Sequence, residues 1–170
     1  MNTKRFLIVV TVIITIGCSW SHAQELRKGM SLFSAGLGMV PGIGLNASYD
    51  YGLVDNWGPG IFTIGGYAGL GFWNRAYYNN PNYSNYRVNA FAFAPRATYR
   101  YVIEPPFEIY GTVLLGAVVK SYSDYFPNHS KAFLGITVGG RYSFSSNYSL
   151  FAEIGYNEVS FLSAGLSFSF

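Results

Sequence analysis

The feature that most constrains this chain is its alternation. From residue 30 onward, apolar side chains recur at every second position in eight segments of about ten residues, separated by turn formers. The segments lie near 30–39, 43–53, 61–73, 87–101, 108–120, 131–144, 148–157 and 161–170. A period of two puts successive side chains on opposite faces of a strand. One face then carries runs such as Phe33, Ala35, Leu37 and Met39, or Leu162, Ala164, Leu166, Phe168 and Phe170. The other carries Ser34, Gly36 and Gly38, or Ser163, Ser167 and Ser169. In the fifth segment Leu114 and Val118 blur the phase, which is set there by Ile109, Val113, Leu115 and Val119.

Six charges fall inside the segments, and all six share the face opposite the apolar one: Asp50, Arg96, Arg100, Lys120, Arg141 and Glu153. Alternation alone does not say which face is inside, since a secreted lipocalin-like barrel alternates too. Composition separates the two cases. Only 11% of residues are charged, against about 25% in soluble domains. A polar face made mainly of Gly, Ser and Thr cannot serve as a soluble exterior, but it suits a narrow packed interior. The uncharged apolar face suits lipid, where an Arg or Lys at the midplane costs about 2–4 kcal/mol. Sparse charge also argues against a nucleic-acid binder. The expected fold is all-β: an eight-stranded antiparallel up-and-down transmembrane barrel, closed because lipid leaves no unpaired backbone group satisfied.

At the N-terminus, Lys4 and Arg5 precede an apolar run from Phe6 to Ile16, and Ser21-His22-Ala23 offers a small-x-small cleavage site. This reads as a secretory signal peptide over 1–23, too short to span a bilayer, followed by a barrel domain over 24–170. Losing Lys4 and Arg5 takes the formal charge from +3 to about +1, because no acid precedes residue 24. Cys18 offers a rival reading as a lipid-modified first residue, since Ile16-Gly17-Cys18 is partly lipobox-like.

Further expectations follow from placing the segments across a membrane. Tyr49, Tyr51, Phe62, Tyr99, Tyr101, Tyr142, Phe144, Tyr148, Phe168 and Phe170 gather at one rim as an aromatic girdle. Outward loops lie near 40–42, 74–86, 121–130 and 157–160, and short turns near 54–60, 102–107 and 145–147. An interior this narrow is filled by side chains, so its charges should pair: Arg141 with Glu153 on neighbouring strands, and Asp50 with Arg96 or Arg100. Pro95 cannot donate in a ladder, so a bulge or bend is expected there. Tyr77, Tyr78, Tyr83, Tyr86 and Tyr125 on the two largest loops are candidate surface-recognition residues, because Tyr gives contact area at small entropic cost.

Material for catalysis is thin. The segment past residue 23 holds one histidine, His129, with Ser130 beside it and Glu158 and Asp124 as the nearest acids. No catalytic, cofactor or metal residue is assigned, and no cofactor is expected.

The last ten residues, Phe161 to Phe170, end on Phe with apolar residues at every second place. They resemble the C-terminal signature by which outer-membrane barrels are recognised for assembly, with Leu166, Phe168 and Phe170 as its apolar positions. Gly140–Phe144 and Leu150–Tyr156 resemble the last hairpins of small porin-like barrels of the OmpX/OmpA/OmpW type. The resemblance implies a bacterial outer membrane, with outer-membrane lipid, lipopolysaccharide and the barrel assembly machinery as partners and no nucleic acid. It carries over no catalytic residue. The uncharged lipid face and the Tyr/Asn loops point to a non-enzymatic role, structural in the envelope or recognising a ligand at the surface. The alternatives are a small channel or carrier of apolar molecules and, more remotely, a lipid A-modifying enzyme.

Overall fold

The structure, a computed structural model, describes residues 27–39, 41–75, 86–122 and 127–170. The expected signal peptide, Cys18, and the loop tyrosines Tyr77, Tyr78, Tyr83 and Tyr125 lie outside the described residues.

Eight strands follow one another: β1 (Ser31–Met39), β2 (Ile43–Trp57), β3 (Gly60–Arg75), β4 (Tyr86–Glu104), β5 (Phe107–Tyr122), β6 (His129–Ser143), β7 (Tyr148–Tyr156) and β8 (Leu162–Ser169). Each pairs antiparallel with the next, and β8 returns to β1 to close the barrel. The seam runs from Leu32 opposite Ser169 to Met39 opposite Leu162. It is tied off where Ser31 N–H donates to the Phe170 carbonyl and Phe170 N–H to the Ser31 carbonyl. Closure removes every sheet edge, as the lipid environment requires.

The wall is uneven in height. β1, β7 and β8 have 8 or 9 residues, whereas β2 to β6 have 15 to 19. The tall strands outrun the apolar alternation that marked them. Their pairing runs on past that alternation, so the turns shrink to Gly58-Pro59 and Pro105-Pro106. Gly58 supplies the positive φ (77°) of the first of these.

The phase of the alternation is as expected in every segment. Ile43 (70% exposed), Leu115 (64%) and Leu134 (59%) point outward, and Asp50 is fully buried. A continuous apolar exterior of this extent far exceeds the patches that soluble monomers carry. The expected girdle forms at the turn end, where the short turns lie; the opposite end is the loop end. There Phe107 packs on Tyr142, and Tyr148 on Phe168, which stacks on Phe170.

Two expectations need correction. No bulge forms at Pro95. Phe93 faces Ala117 and Arg96 faces Leu114, so the β4–β5 register is the same on both sides, and pairing with β5 simply lapses across Ala94 and Pro95. Pro95 still pairs with Gly66 of β3. One lost rung costs less than a register slip, which would turn every following side chain to the wrong face. Register shifts occur instead near strand ends, between Gly52 and Trp57 and between Val102 and Glu104. The second correction concerns the interior, which is not uniformly small and polar.

Candidate functional site: the lumen and its mouth

The inward side chains divide into two regions. Toward the turn end, Asp50, Glu108 and Glu153 face Arg96, Arg100 and Arg141: three acids against three arginines. Arg100 joins two of the acids, with Nη2 2.6 Å from Asp50 Oδ2 and Nη1 2.8 Å from Glu108 Oε1. Arg96 Nε lies 3.1 Å from Asp50 Oδ1, close in charge but not aligned for a hydrogen bond, and its Nη2 is 3.5 Å from Glu153. Asp50 therefore serves both arginines that were its alternative partners.

The expected Arg141–Glu153 pair does not form. Glu153 stands opposite Gly139, so Arg141 is diagonal to it, and Arg141 instead lies 3.6 Å from Glu108. The reason is Tyr110. Its hydroxyl donates to Glu153 at 3.0 Å, and its ring lies 4.8 Å from the Arg100 guanidinium and 5.6 Å from that of Arg141. The ring lies close to both guanidiniums and offers them a cation–π contact. Glu108 and Tyr110 were missed because both sit at the start of the fifth segment, before its apolar run sets a phase. Thr98 and Thr112, joined at 2.8 Å, complete this layer and accept from Arg96.

Toward the loop end the lumen is apolar. Tyr67, Trp73, Val88, Ala90, Ala92, Ala94, Leu114, Val118 and Phe133 form one buried cluster with Val159. Tyr86, grouped with the loop tyrosines from sequence, begins β4 and packs on this cluster, its ring 6.0 Å from that of Tyr122. Trp73 and Tyr67 escape notice in sequence because a large side chain between glycines breaks the small-polar pattern of that face.

The β7–β8 loop, expected to project outward, turns into the barrel instead. Asn157, Glu158, Val159 and Ser160 are all buried. Asn157 Oδ1 accepts from the N–H groups of Val159 and Ser160, and Ser160 Oγ meets Ser163 Oγ at 2.9 Å. Room for the loop comes from glycines on the facing strands. A Cβ at Gly38 would lie 2.5 Å from Ser160 Cβ, and one at Gly44 or Gly71 would lie 3.1 Å from Val159 Cγ1. Glu158, at φ 68°, accepts from Lys120 Nζ at 2.7 Å, from Lys131 Nζ at 2.6 Å and from the Tyr156 hydroxyl. Burial would raise its pKa, but the hydrogen bonds from the two lysines and the tyrosine outweigh that and hold it at about 2. Lys120, expected in the lumen network, thus belongs to the mouth.

His129 is exposed at the start of β6, opposite Lys120, and Ser130 beside it is exposed too. Glu153 sits far down the lumen. A nucleophile, a base and an orienting acid are therefore not brought together among the described residues. Leu166, Phe168 and Phe170 face outward on the closing strand.

A closed eight-stranded up-and-down barrel with an apolar exterior and a filled, charge-balanced interior is a membrane-spanning architecture. The chain has the fold of the small outer-membrane β-barrels. Solved structures similar to it include a de novo designed transmembrane β-barrel (TM-score 0.55, 15% identity, covering 86% of this chain and 100% of that one). Another is the N-terminal β-barrel domain of OprF from Pseudomonas aeruginosa (TM-score 0.55, 14% identity, covering 84% and 98%). A third is the attachment invasion locus protein Ail of Yersinia pestis (TM-score 0.47, 16% identity, covering 85% and 100%). No protein-family model matches the chain, and no curated protein matches it.

Proposed function

We propose that this chain is a non-enzymatic integral barrel of the bacterial outer membrane, closed to ions, which strengthens the envelope or presents its loop end for recognition at the surface. The filling of the lumen supports this most directly. The ion-paired layer occupies the turn-end half, and the apolar cluster with the inserted β7–β8 loop occupies the other. Shallow hollows lie on the outer wall. One of about 510 Å³ lies where the short side chains of Ala35, Ala47 and Ala68 stand among larger ones, as annular lipid would fill.

In this reading the signal peptide over 1–23 exports the chain. Leu166, Phe168 and Phe170 engage the assembly machinery, and the apolar belt meets lipid and lipopolysaccharide. Gel mobility of the outer-membrane fraction, boiled against unboiled, tests location and closure together. A heat-dependent shift in that fraction is expected, and protein found in the soluble fraction would overturn the reading. Planar-bilayer recordings should show no steady conductance, and discrete single-channel steps would favour the channel alternative. Deleting 75–85 should leave the mobility shift intact while removing any surface binding, and unchanged binding would exclude that loop.

A further inference from the structure

The β7–β8 loop places in the mouth of the barrel the two halves of an amphiphile. Its Glu158 carboxylate lies on Lys120 and Lys131. Its next side chain, Val159, is an alkyl group buried in the apolar cluster. Three further observations bear on this arrangement. Glu158 is the one non-glycine residue at positive φ among the described residues, a conformation that costs free energy and recurs where a segment must move or bind. Beneath the loop, the Tyr67 hydroxyl and Trp73 Nε1 have no hydrogen-bond partner although both residues are only 7% exposed. Buried donors left unmet are rare, and these two belong to the apolar cluster that holds Val159. The rim is also lowest at the loop, where the exposed side chains are Met39, Ile43, Phe161 and Leu162.

We propose that the loop-end lumen is a binding site for a medium-chain aliphatic carboxylate, and that the β7–β8 loop is its built-in competitor. The ligand's carboxylate takes the place of Glu158 on Lys120 and Lys131. Its chain replaces Val159 and runs down past Trp73 toward Leu114 and Tyr67. From Val118 to Leu114 the apolar lining spans roughly 13 Å of strand rise, beyond which Arg96 and the charged layer form a floor. The inference goes beyond the structural or recognition role and holds with either.

The test uses the full chain purified from membranes in detergent, with Trp20 and Trp57 replaced by Phe so that Trp73 is the sole tryptophan. 8-Bromooctanoate is titrated as a contact quencher, with 8-bromooctanol as the uncharged control. Saturable quenching by the acid is expected, displaced by octanoate. Glu158→Gln and, separately, Val159→Gly should tighten it at least tenfold, because each weakens the competitor. Lys120→Met with Lys131→Met should weaken it at least tenfold. Val159→Gly keeps the ion pairs and serves if Glu158→Gln does not fold, which the heat-dependent mobility shift reports. Quenching that is linear, equal for acid and alcohol and indifferent to the lysines means partition into detergent only and overturns the proposal. So does the absence of quenching in every folded variant.

Discussion

The two halves of the lumen solve the same problem by different physics. Both must fill a narrow tube whose outside is already apolar. The turn-end half does so with three acids and three arginines, all held by partners on other strands. The loop-end half does so with side chains that need no partner, and closes with a loop. The charged half is specific but fragile, because every member is desolvated and depends on the others. The apolar half tolerates change in proportion to the volume lost. The contrast teaches that the interior of a membrane barrel is not simply polar: it is whatever the outside does not determine.

The comparison is most open to challenge at Asp50. Asp50→Ala removes the acid shared by Arg96 and Arg100, leaving one desolvated guanidinium with Glu153 alone and the other with Glu108 alone. Breaking a buried pair in this way costs about 3–5 kcal/mol, to be read as a shift of the urea midpoint in lipid vesicles. Arg141→Met should cost far less, about 1 kcal/mol. Arg141 meets the network through Glu108 at 3.6 Å and the Tyr110 ring at 5.6 Å, its Nε is unpartnered, and Glu108 keeps Arg100. If the two variants lose equal stability, the layer is a diffuse charge balance and not a set of specific pairs.

In the apolar half, Leu114→Ala is expected to cost about 2–5 kcal/mol, the range for a buried leucine that leaves a partly collapsed cavity. In a double variant with Asp50→Ala the two losses should add. A non-additive double variant would mean that the two halves are coupled and not merely adjacent.

Pro95 stands at the border, with Ala94 closing one region and Arg96 opening the other. Pro95→Ala restores an N–H where pairing with β5 lapses. The new hydrogen bond contributes about 0.5–1.5 kcal/mol, and the greater freedom of the unfolded chain takes back about 0.4–1 kcal/mol. Global stability should therefore barely move. Amide exchange along β5 at Leu115 and Gly116 should slow if the lapse loosens the border, and stay unchanged if the wall is already rigid there.

How far the sequence discloses this molecule follows from which constraint each part obeys. Strand number, phase and girdle are legible because lipid imposes one rule on every outward residue, and the rule repeats through eight segments. Asp50 with Arg96 and Arg100 is legible because few charges of opposite sign share that face. The Arg141–Glu153 pairing is misread because choosing among partners across a lumen depends on Tyr110, whose ring lies close to two arginines and whose hydroxyl takes Glu153. The inward turn of 157–160 is illegible for a similar reason. Asn157, Glu158 and Ser160 read as a solvated loop, and the glycines at 38, 44 and 71, on three other strands, make the berth for Val159 and Ser160.

The smallest global effect is expected at the mouth, and it is the one most sensitive to pH. Glu158→Gln removes ion pairs to two lysines, but Lys131 is 43% exposed, and solvent-screened pairs of this kind contribute about 1 kcal/mol or less. Unfolding should hardly change, while the loop itself should loosen. The sign follows from the direction of the shift. The Glu158 carboxyl is held below its ordinary value, at about 2, so its contribution is complete above the ordinary carboxylate range. It is lost as pH falls through about 2. Trp73 emission should therefore be flat between about pH 5 and 8 and change below about pH 3, and the acid change should vanish in Glu158→Gln. An acid transition that persists in that variant would place its origin outside the mouth, and the loop would then not be the part of the lumen that yields first.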